Sequence, residues 1–331
     1  MIGIGIIGAG HFGAVHARAI TEVEGLEIVA VCREDQQQAE VFAREYGGKA
    51  YSDWQVLLED PDVDAVVIAT PHHLHKEIAL GAARAGKHIL LEKPMAPSVA
   101  DCDEIAHAVS EAGVQFMVGH VMHFALPCLM AKEIIRSGAI GLPAVGTSGM
   151  IKLWMEGNRR PWHLHRETGG GMLMTAGIHA LDRLVWLMGQ DVVGVSAMMG
   201  SHFHQQQADD TALIGLRFSD GAIGQVQSIG YRDGGSSFAM DLVCERGALR
   251  IDFSSGLWLG RNGTFEKIPD SLEPEWMHRA VVREWEAMCT AILDQAAPPV
   301  SADDARQILA IIEAAYRAND ERAEVEIAYD R

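Results

Sequence analysis

Residues 169–182, GGGMLMTAGIHALD, combine three consecutive glycines with a threonine and a histidine four positions apart. In a helix this spacing puts Thr175 and His179 on one face. A neutral imidazole removes a proton near neutral pH, and a hydroxyl forms one hydrogen bond to a substrate. We expect the glycines at 169–171 to let the chain approach a cofactor or substrate and to leave N–H groups free at the helix start. Asp182 is in position to orient the imidazole or to anchor this helix, and we favour the anchoring role.

A second pattern suited to chemistry is the GxGxxG motif GAGHFG at residues 8–13. It follows an apolar run at 2–7 and precedes a helical pattern, and another apolar run covers 26–32. A GxGxxG inside such a strand–helix–strand unit indicates a dinucleotide site. The glycines permit a tight turn, close approach of the pyrophosphate and close helix packing, and the phosphates bind at the helix N-terminus.

The residues after the second strand indicate the form of the dinucleotide. An acidic residue there binds the ribose 2′-hydroxyl of NAD, whereas an arginine accommodates the 2′-phosphate of NADP. Arg33 follows Cys32 at this place, which favours NADP. Glu34 or Asp35 remains able to reach a ribose, so NAD stays open.

Apolar strands continue at 63–70, 87–92 and 114–120 and alternate with helical patterns. This alternation predicts a doubly wound parallel sheet, in which ligands bind beyond the carboxyl ends of the strands. The side chains expected there are His72, His73, His75, Glu92, Lys93 and His120.

Beyond the first 122 residues the pattern changes to longer strand candidates joined by glycine turns at 219–221, 245–247 and 261–263. These turns are typical of hairpins and predict a mostly antiparallel sheet. We therefore expect an α/β chain: a dinucleotide-binding domain over 1–122 and an α+β domain over 123–331 for substrate binding and oligomerisation. The C-terminal helices have the option of packing back onto the first domain.

The composition is that of a globular protein, with 48% hydrophobic and 22% charged residues and a formal net charge of −18. Such an acidic surface argues against nucleic acid and against anionic membranes as partners. The five dispersed cysteines fit free thiols in a cytoplasmic protein. The N-terminus does not resemble a signal peptide, and no apolar run suggests a membrane span.

Several segments together are similar to the Gfo/Idh/MocA oxidoreductases, the family of glucose–fructose oxidoreductase and inositol dehydrogenase. They are GIIGAGHFG, ATPHHLH, LLEKPMA and GGGMLMTAGIHALD. The resemblance covers nearly the whole chain and implies an N-terminal Rossmann domain and a C-terminal open-faced sheet that forms dimers or tetramers. It implies hydride transfer between NAD(P) and one carbon of a sugar or polyol.

The resemblance also implies a catalytic Lys93–His179 acid/base pair. The aspartate that the family carries four residues before the histidine is replaced by Thr175, for which we expect a substrate-binding role. Other expected substrate-binding residues are Trp154, Trp162 and Arg166, with Arg159 and His163 nearby. The expected cofactor-binding residues are Gly8, Ala9, Gly10, His11, Phe12, Gly13, Cys32, Arg33, Ala69, Thr70, Pro71, His72, His75, Glu92, Lys93 and Pro94.

Two other functions stay open, namely a glycoside hydrolase that uses NAD transiently and a non-catalytic NAD(P)-binding sensor. A metal site is not expected, because no histidine pair has a Cys or carboxylate at a recognised spacing. The pairs considered are His120 with His123, His163 with His165 and His202 with His204.

Overall fold

The computed structural model describes residues 1–155, 157 and 159–328. The chain forms two compact units, one of Met1–Val121 with Met277–Arg306 and the other of Met122–Trp276 with Gln307–Arg331. The second predicted domain, 123–331, is thus interrupted, because residues 277–306 return to the first unit. None of the helices among the described residues combines the length and apolar character needed to cross a lipid bilayer.

The α-helices of the described chain are α1 (His11–Ile20), α2 (Gln36–Tyr46), α3 (Trp54–Leu58), α4 (His75–Arg84), α5 (Val99–Ala112), α6 (Leu126–Arg136), α7 (Ile178–Met188), α8 (Trp276–Asp294) and α9 (Ala302–Glu321). Side-chain caps begin three of them: Asp35, Asp53 and Ser98 each accept a main-chain N–H from the first turn of α2, α3 and α5.

The first unit contains a six-stranded sheet in the order β3-β2-β1-β4-β5-β6, with every pair parallel. The predicted doubly wound sheet is therefore confirmed. All six residues of β1 are buried, as expected for a strand that is covered on both faces. Its strands are β1 (Ile2–Ile7), β2 (Leu26–Cys32), β3 (Lys49–Tyr51), β4 (Ala65–Ile68), β5 (His88–Glu92) and β6 (Phe116–Gly119).

The second unit contains a nine-stranded sheet in the order β14-β13-β12-β11-β7-β10-β9-β8-β15. Its neighbours are antiparallel except for β7 and β10, which run parallel. Its strands are β7 (Pro143–Leu153), β8 (Val192–Gly200), β9 (Thr211–Phe218), β10 (Ile223–Tyr231), β11 (Ser237–Cys244), β12 (Gly247–Asp252), β13 (Gly256–Arg261), β14 (Thr264–Lys267) and β15 (Val325–Glu326).

The three glycine turns predicted from the sequence all join antiparallel neighbours of this sheet. In the turn between β13 and β14, Asn262 and Gly263 have φ values of 51° and 80°. Positive φ at both central residues is the signature of a tight hairpin turn that matches the twist of the strands.

The two faces of the second sheet differ in burial. The α6 and α7 helices pack against the sheet on the face to which Gly146, Ser148 and Met150 of β7 point. The opposite face carries Val145 and its partners Ile223 and Val243 on the neighbouring strands, with 38%, 50% and 52% of their surfaces exposed.

Candidate functional site

Two glycines of the first loop are required by packing within the protein. Gly8 has a φ of 98°, and a Cβ placed on it would lie 2.5 Å from the Ala69 carbonyl oxygen. A Cβ on Gly13 would lie 2.5 Å from the Gly8 carbonyl oxygen. Glycine at these two positions allows the tight turn from β1 to α1 and lets the N-terminus of α1 pack closely against the strand.

The middle glycine of the motif is different. A Cβ on Gly10 would meet only the Gly8 carbonyl oxygen, at 4.0 Å, so the protein itself does not require glycine there. Gly10 is the N-cap of α1, and no side chain of the described residues caps this helix. An uncapped helix start with room beside it is suited to bind the pyrophosphate of a dinucleotide, so the residues present fit the expected cofactor.

The residues after β2 lie beside this loop. The Cys32 carbonyl oxygen accepts the N–H groups of Gly8 and Ala9 at 3.1 and 3.0 Å, while burial raises the pKa of the Cys32 thiol to about 12. The Arg33 guanidinium donates to the Ala9 carbonyl oxygen at 3.1 Å, which fixes its positive charge next to the glycine loop. Asp35 is occupied as the N-cap of α2.

The ends of β4 and β5 are joined through one histidine. His75 is fully buried, and its Nδ1 and Nε2 lie 2.9 Å from the Pro94 and 3.0 Å from the Thr70 carbonyl oxygens. Both ring nitrogens are therefore directed at main-chain carbonyls, which favours a structural role for His75 over the direct cofactor contact that the sequence suggested. Burial lowers the pKa of His75, although the two carbonyl contacts act in the opposite direction.

Lys93 directly follows β5 and is half-buried. Its main-chain N–H donates to its neighbour Glu92 at Oε2, 3.3 Å away, and Glu92 Oε1 lies 2.9 Å from His16 Nε2. His16 belongs to α1, so this carboxylate links the lysine segment to the helix that begins at the glycine loop. The remaining expected cofactor-binding residues flank this edge: His11 and Phe12 in the first turn of α1, and Ala69, Pro71 and the buried His72 after β4.

In the second unit, Thr175 and His179 lie at a break in helical geometry. Residues Leu173–Gly177 form a π-helical turn, and α7 begins directly after it. The sequence predicts an ordinary helix here, and the difference matters because π-helical turns are rare and occur frequently at functional sites. Thr175 is buried and His179 is half-buried.

The three glycines before this turn do not have the role that the sequence suggested. A Cβ on Gly170 would lie 2.6 Å from main-chain atoms of His163 and His165, and one on Gly171 would lie 2.5 Å from Asp209 Oδ1. Their N–H groups donate to carbonyl oxygens within the unit, that of Gly169 included. The expectation of free N–H groups is therefore wrong. Glycine is required at positions 170 and 171 because other parts of the protein, rather than a ligand, pack closely against them.

Asp209 holds the start of the π-helical turn and was missed by sequence reasoning. Its carbonyl oxygen accepts the Met172 N–H, its Oδ2 accepts the Leu173 N–H at 2.9 Å and its Oδ1 accepts the Tyr316 hydroxyl at 3.0 Å. Burial raises the pKa of Asp209 to about 6 in spite of these donors. The sequence feature that could have indicated this role is the Asp209–Asp210 pair before β9. Two adjacent carboxylates at the start of a strand each need hydrogen-bond donors from the surrounding protein.

The next turn of α7 is anchored by Asp182, whose Oδ1 lies 3.0 Å from His123 Nε2 with both side chains buried. The His123 ring stacks on Trp186 of the same helix at 4.2 Å. This supports the anchoring role predicted for Asp182.

The other two histidine pairs considered as metal ligands contact aromatic, main-chain or acidic groups of the protein. His163 stacks on Trp162 at 3.7 Å, and its Nδ1 contacts the main chain of Arg160. His204 lies 3.2 Å from Asp210, which also accepts the main-chain N–H of His202.

The aromatic and basic residues expected to bind substrate divide into two sets. Trp154 is only 3% exposed, its indole N–H donates to Gln206 at 2.9 Å and Arg159 lies over its ring. This burial favours packing over stacking on a sugar. Arg166 lies 3.6 Å above the Tyr316 ring and lines a surface cavity of about 200 Å³, so its guanidinium remains accessible.

Comparison with known proteins places both units in one family. The profile of the oxidoreductase family with an NAD-binding Rossmann fold matches residues 2–120, and that of the GFO/IDH/MocA C-terminal domain matches residues 128–250.

Among curated proteins, 2,7-anhydro-N-acetylneuraminate hydratase of Mediterraneibacter gnavus is 37% identical over 223 residues, which span 66% of this chain and 59% of that protein. The 1,5-anhydro-D-fructose reductase of Ensifer adhaerens is 32% identical over 228 residues, 67% of each chain. The crystal structure of GenD2 from gentamicin A biosynthesis, in complex with NAD, is 25% identical with a TM-score of 0.88 and covers 99% of this chain and 97% of its own. The chain belongs to the Gfo/Idh/MocA family of oxidoreductases, and its first unit has the NAD-binding Rossmann fold of that family.

Proposed function

We propose that the protein is an NAD(P)-dependent oxidoreductase that transfers a hydride between nicotinamide and a hydroxyl-bearing carbon of a sugar, a polyol or a related compound. The observation that carries this proposal is the room beside Gly10 at the uncapped start of α1, on the same sheet edge as Lys93. The reductase relative supports the substrate class, because its name refers to an anhydro-sugar. When bound, the nicotinamide supplies the hydride acceptor or donor.

The proposed acid/base pair is Lys93 and His179. Oxidation of a secondary alcohol removes a hydride from carbon and a proton from the hydroxyl oxygen. The imidazole of His179 accepts that proton, and the ammonium of Lys93 stabilises the negative charge that develops on the same oxygen. The hydroxyl of Thr175 cannot act as a base at neutral pH, so we assign it one hydrogen bond to the substrate and no part in proton transfer.

We propose NADP as the preferred cofactor, with NAD as the alternative. Arg33 is held at the Ala9 carbonyl oxygen and has further N–H groups for a 2′-phosphate. Asp35 caps α2, so Glu34 is the acidic residue left to bind a ribose if the preference is for NAD. Titration of the protein with NADH and NADPH, followed by fluorescence, tests this assignment, and an NADH preference of tenfold or more would contradict it.

The acid/base assignment is tested with Lys93→Ala and His179→Ala. The matched controls are Lys267→Ala and His107→Ala, which remove the same side chains from exposed positions. A screen of sugars and polyols with NAD and NADP identifies the substrate. Each site variant should then lower kcat by about 10²- to 10⁴-fold, while the controls stay near wild type. A site variant that retains more than about a tenth of the wild-type kcat would contradict the assignment.

A second candidate is a redox-neutral reaction in which the cofactor is reduced and reoxidised within one turnover. The hydratase relative favours it, because the name of that protein describes addition of water rather than net oxidation. Product formation without net formation of NADH would distinguish this reaction from a dehydrogenase. A non-catalytic sensor would instead retain its output when Lys93 is replaced by alanine.

We also propose that a second copy of the chain covers the outer face of the nine-stranded sheet, to form a dimer or a tetramer. Val145, Ile223 and Val243 form a continuous apolar group on this face. Contiguous apolar surface of this kind commonly marks an interface. Sedimentation analysis of the wild type and of Ile223→Lys tests this proposal, and a monomeric wild type would overturn it.

A further inference from the structure

A buried group of ionisable side chains lies behind the lysine segment of the first unit. It consists of His16 on α1, Glu92 at the end of β5 and Glu284 on α8, with 0%, 6% and 0% of their surfaces exposed. One nitrogen or oxygen atom from each lies within 4.8 Å of the other two. A histidine with two carboxylates invites a metal assignment, so the protonation of each group decides what the cluster is.

The protonation of His16 follows from its neighbour. The indole N–H of Trp285 donates to His16 Nδ1 at 3.1 Å, and an indole nitrogen is a donor only. His16 Nδ1 is therefore an acceptor, and the proton of the neutral ring is on Nε2. That nitrogen donates to Glu92 Oε1 at 2.9 Å and has no lone pair for a metal ion.

The two carboxyl groups differ in the donors that reach them. Glu92 accepts at both oxygens, from His16 Nε2 and from the main-chain N–H of Lys93, as an ionised carboxylate does. Neither side-chain oxygen of Glu284 has a hydrogen-bond partner among the described residues. A carboxylate buried without any donor is strongly disfavoured, whereas a protonated carboxyl requires far less compensation.

We propose that Glu284 holds a proton in the folded protein, so that Glu92 carries the only negative charge of the cluster, and that Glu284 is thereby a positioning residue for Lys93. Ionisation of Glu284 would put a second negative charge beside Glu92 and weaken the contact of Glu92 with the Lys93 main chain. Among the histidines, cysteines and acidic residues that the structure describes, those clustered with Glu284 are Glu92 of β5 and the neutral His16 of α1. The positioning role rests on the proposed function, whereas the protonation of Glu284 does not.

Infrared spectroscopy tests the proton directly. At about pH 8, where free carboxyl groups are ionised, the wild type should show the C=O stretch of a protonated carboxyl. The band should be absent from Glu284→Gln and present in Glu286→Gln, a control at an exposed position of the same helix. Absence of the band from the folded wild type, or its persistence in Glu284→Gln, would overturn the proposal. If Glu284→Gln does not fold, the wild type alone suffices: the band should disappear on thermal unfolding, and a band that persists refutes the assignment.

The positioning role has a separate readout. Over the pH range in which the infrared band of the wild type disappears, the affinity of the wild type for NADH should fall by about tenfold more than that of Glu284→Gln, because only the wild type gains the second charge. Parallel pH profiles for the two proteins would overturn the positioning role. Absence of NADH and NADPH binding from every variant would instead contradict the proposed function and leave the infrared result interpretable.

Discussion

Replacement of Asp209 by asparagine should change how the stability of the protein depends on pH. Asparagine keeps the shape of the side chain and removes its charge. Its carbonyl oxygen can still accept the Leu173 N–H, and the Tyr316 hydroxyl can rotate to accept from the amide. The comparison therefore isolates the ionisation of one buried carboxyl group at the start of the turn that leads to His179.

The sign and size of the effect follow from the pKa of Asp209. Burial raises this pKa from the ordinary 3.8 to about 6. The folded state therefore binds the proton more tightly than the unfolded state, and the stabilisation present below pH 4 is lost as the pH rises through 6. A shift of this size corresponds to about 3 kcal/mol. The free energy of unfolding of Asp209→Asn should therefore increase by about 3 kcal/mol relative to the wild type between about pH 3.5 and pH 7.

Urea denaturation of both proteins across this pH range measures the difference. Asp233→Asn provides the control, because it makes the same change at an exposed loop position. Its stability should follow that of the wild type. Parallel curves for Asp209→Asn and the wild type would refute the reasoning, since they would mean that Asp209 has the same pKa in the folded and unfolded states.

Three further predictions test the geometry of the site. Gly10→Ala should weaken NADH and NADPH binding by about tenfold or more with little loss of stability, whereas Gly13→Ala should destabilise the fold. The reason is that a Cβ on Gly13 would lie 2.5 Å from the Gly8 carbonyl oxygen, whereas one on Gly10 would lie 4.0 Å from it. Equal effects on binding and on thermal stability would contradict this contrast. Arg33→Gln should weaken NADPH binding by about tenfold and leave NADH binding nearly unchanged, as measured by fluorescence titration; an equal loss for both cofactors would argue against a 2′-phosphate contact. Gly177→Ala places a Cβ 2.2 Å from Ser228 Oγ and should cost about 1–3 kcal/mol of stability. The added Ser228→Gly substitution should recover part of that loss in urea denaturation, and no recovery would show that the strain has another origin.

Much of the fold could be read from local sequence patterns. The apolar run before Gly8 and the helical pattern after Gly13 predicted β1 and α1, because a buried parallel strand and an amphipathic helix have different periodicities. The three glycine turns predicted hairpins, because positive φ values restrict the residues that such turns accept. The family resemblance then assigned Lys93 and His179 their expected roles.

The tertiary structure decided the features that depend on residues far apart in the sequence. The parallel pairing of β7 with β10 follows from strand order, which no local periodicity encodes. Asp209 holds the turn before His179 from 36 residues beyond Leu173, and this contact explains the glycine at 171 better than a nearby ligand does.

The protonation of buried carboxyl groups likewise depends on residues far apart in the sequence. The sequence by itself determined that Glu92 ends a buried strand, that Lys93 follows it and that a helical segment occurs near residue 284. Only the folded chain brings Glu284 beside Glu92 and His16, because helix α8 belongs to the first unit from Met277 onward. The pKa of a carboxyl group depends on burial and on the donors around it, and both are set by packing across the chain rather than by neighbours in sequence.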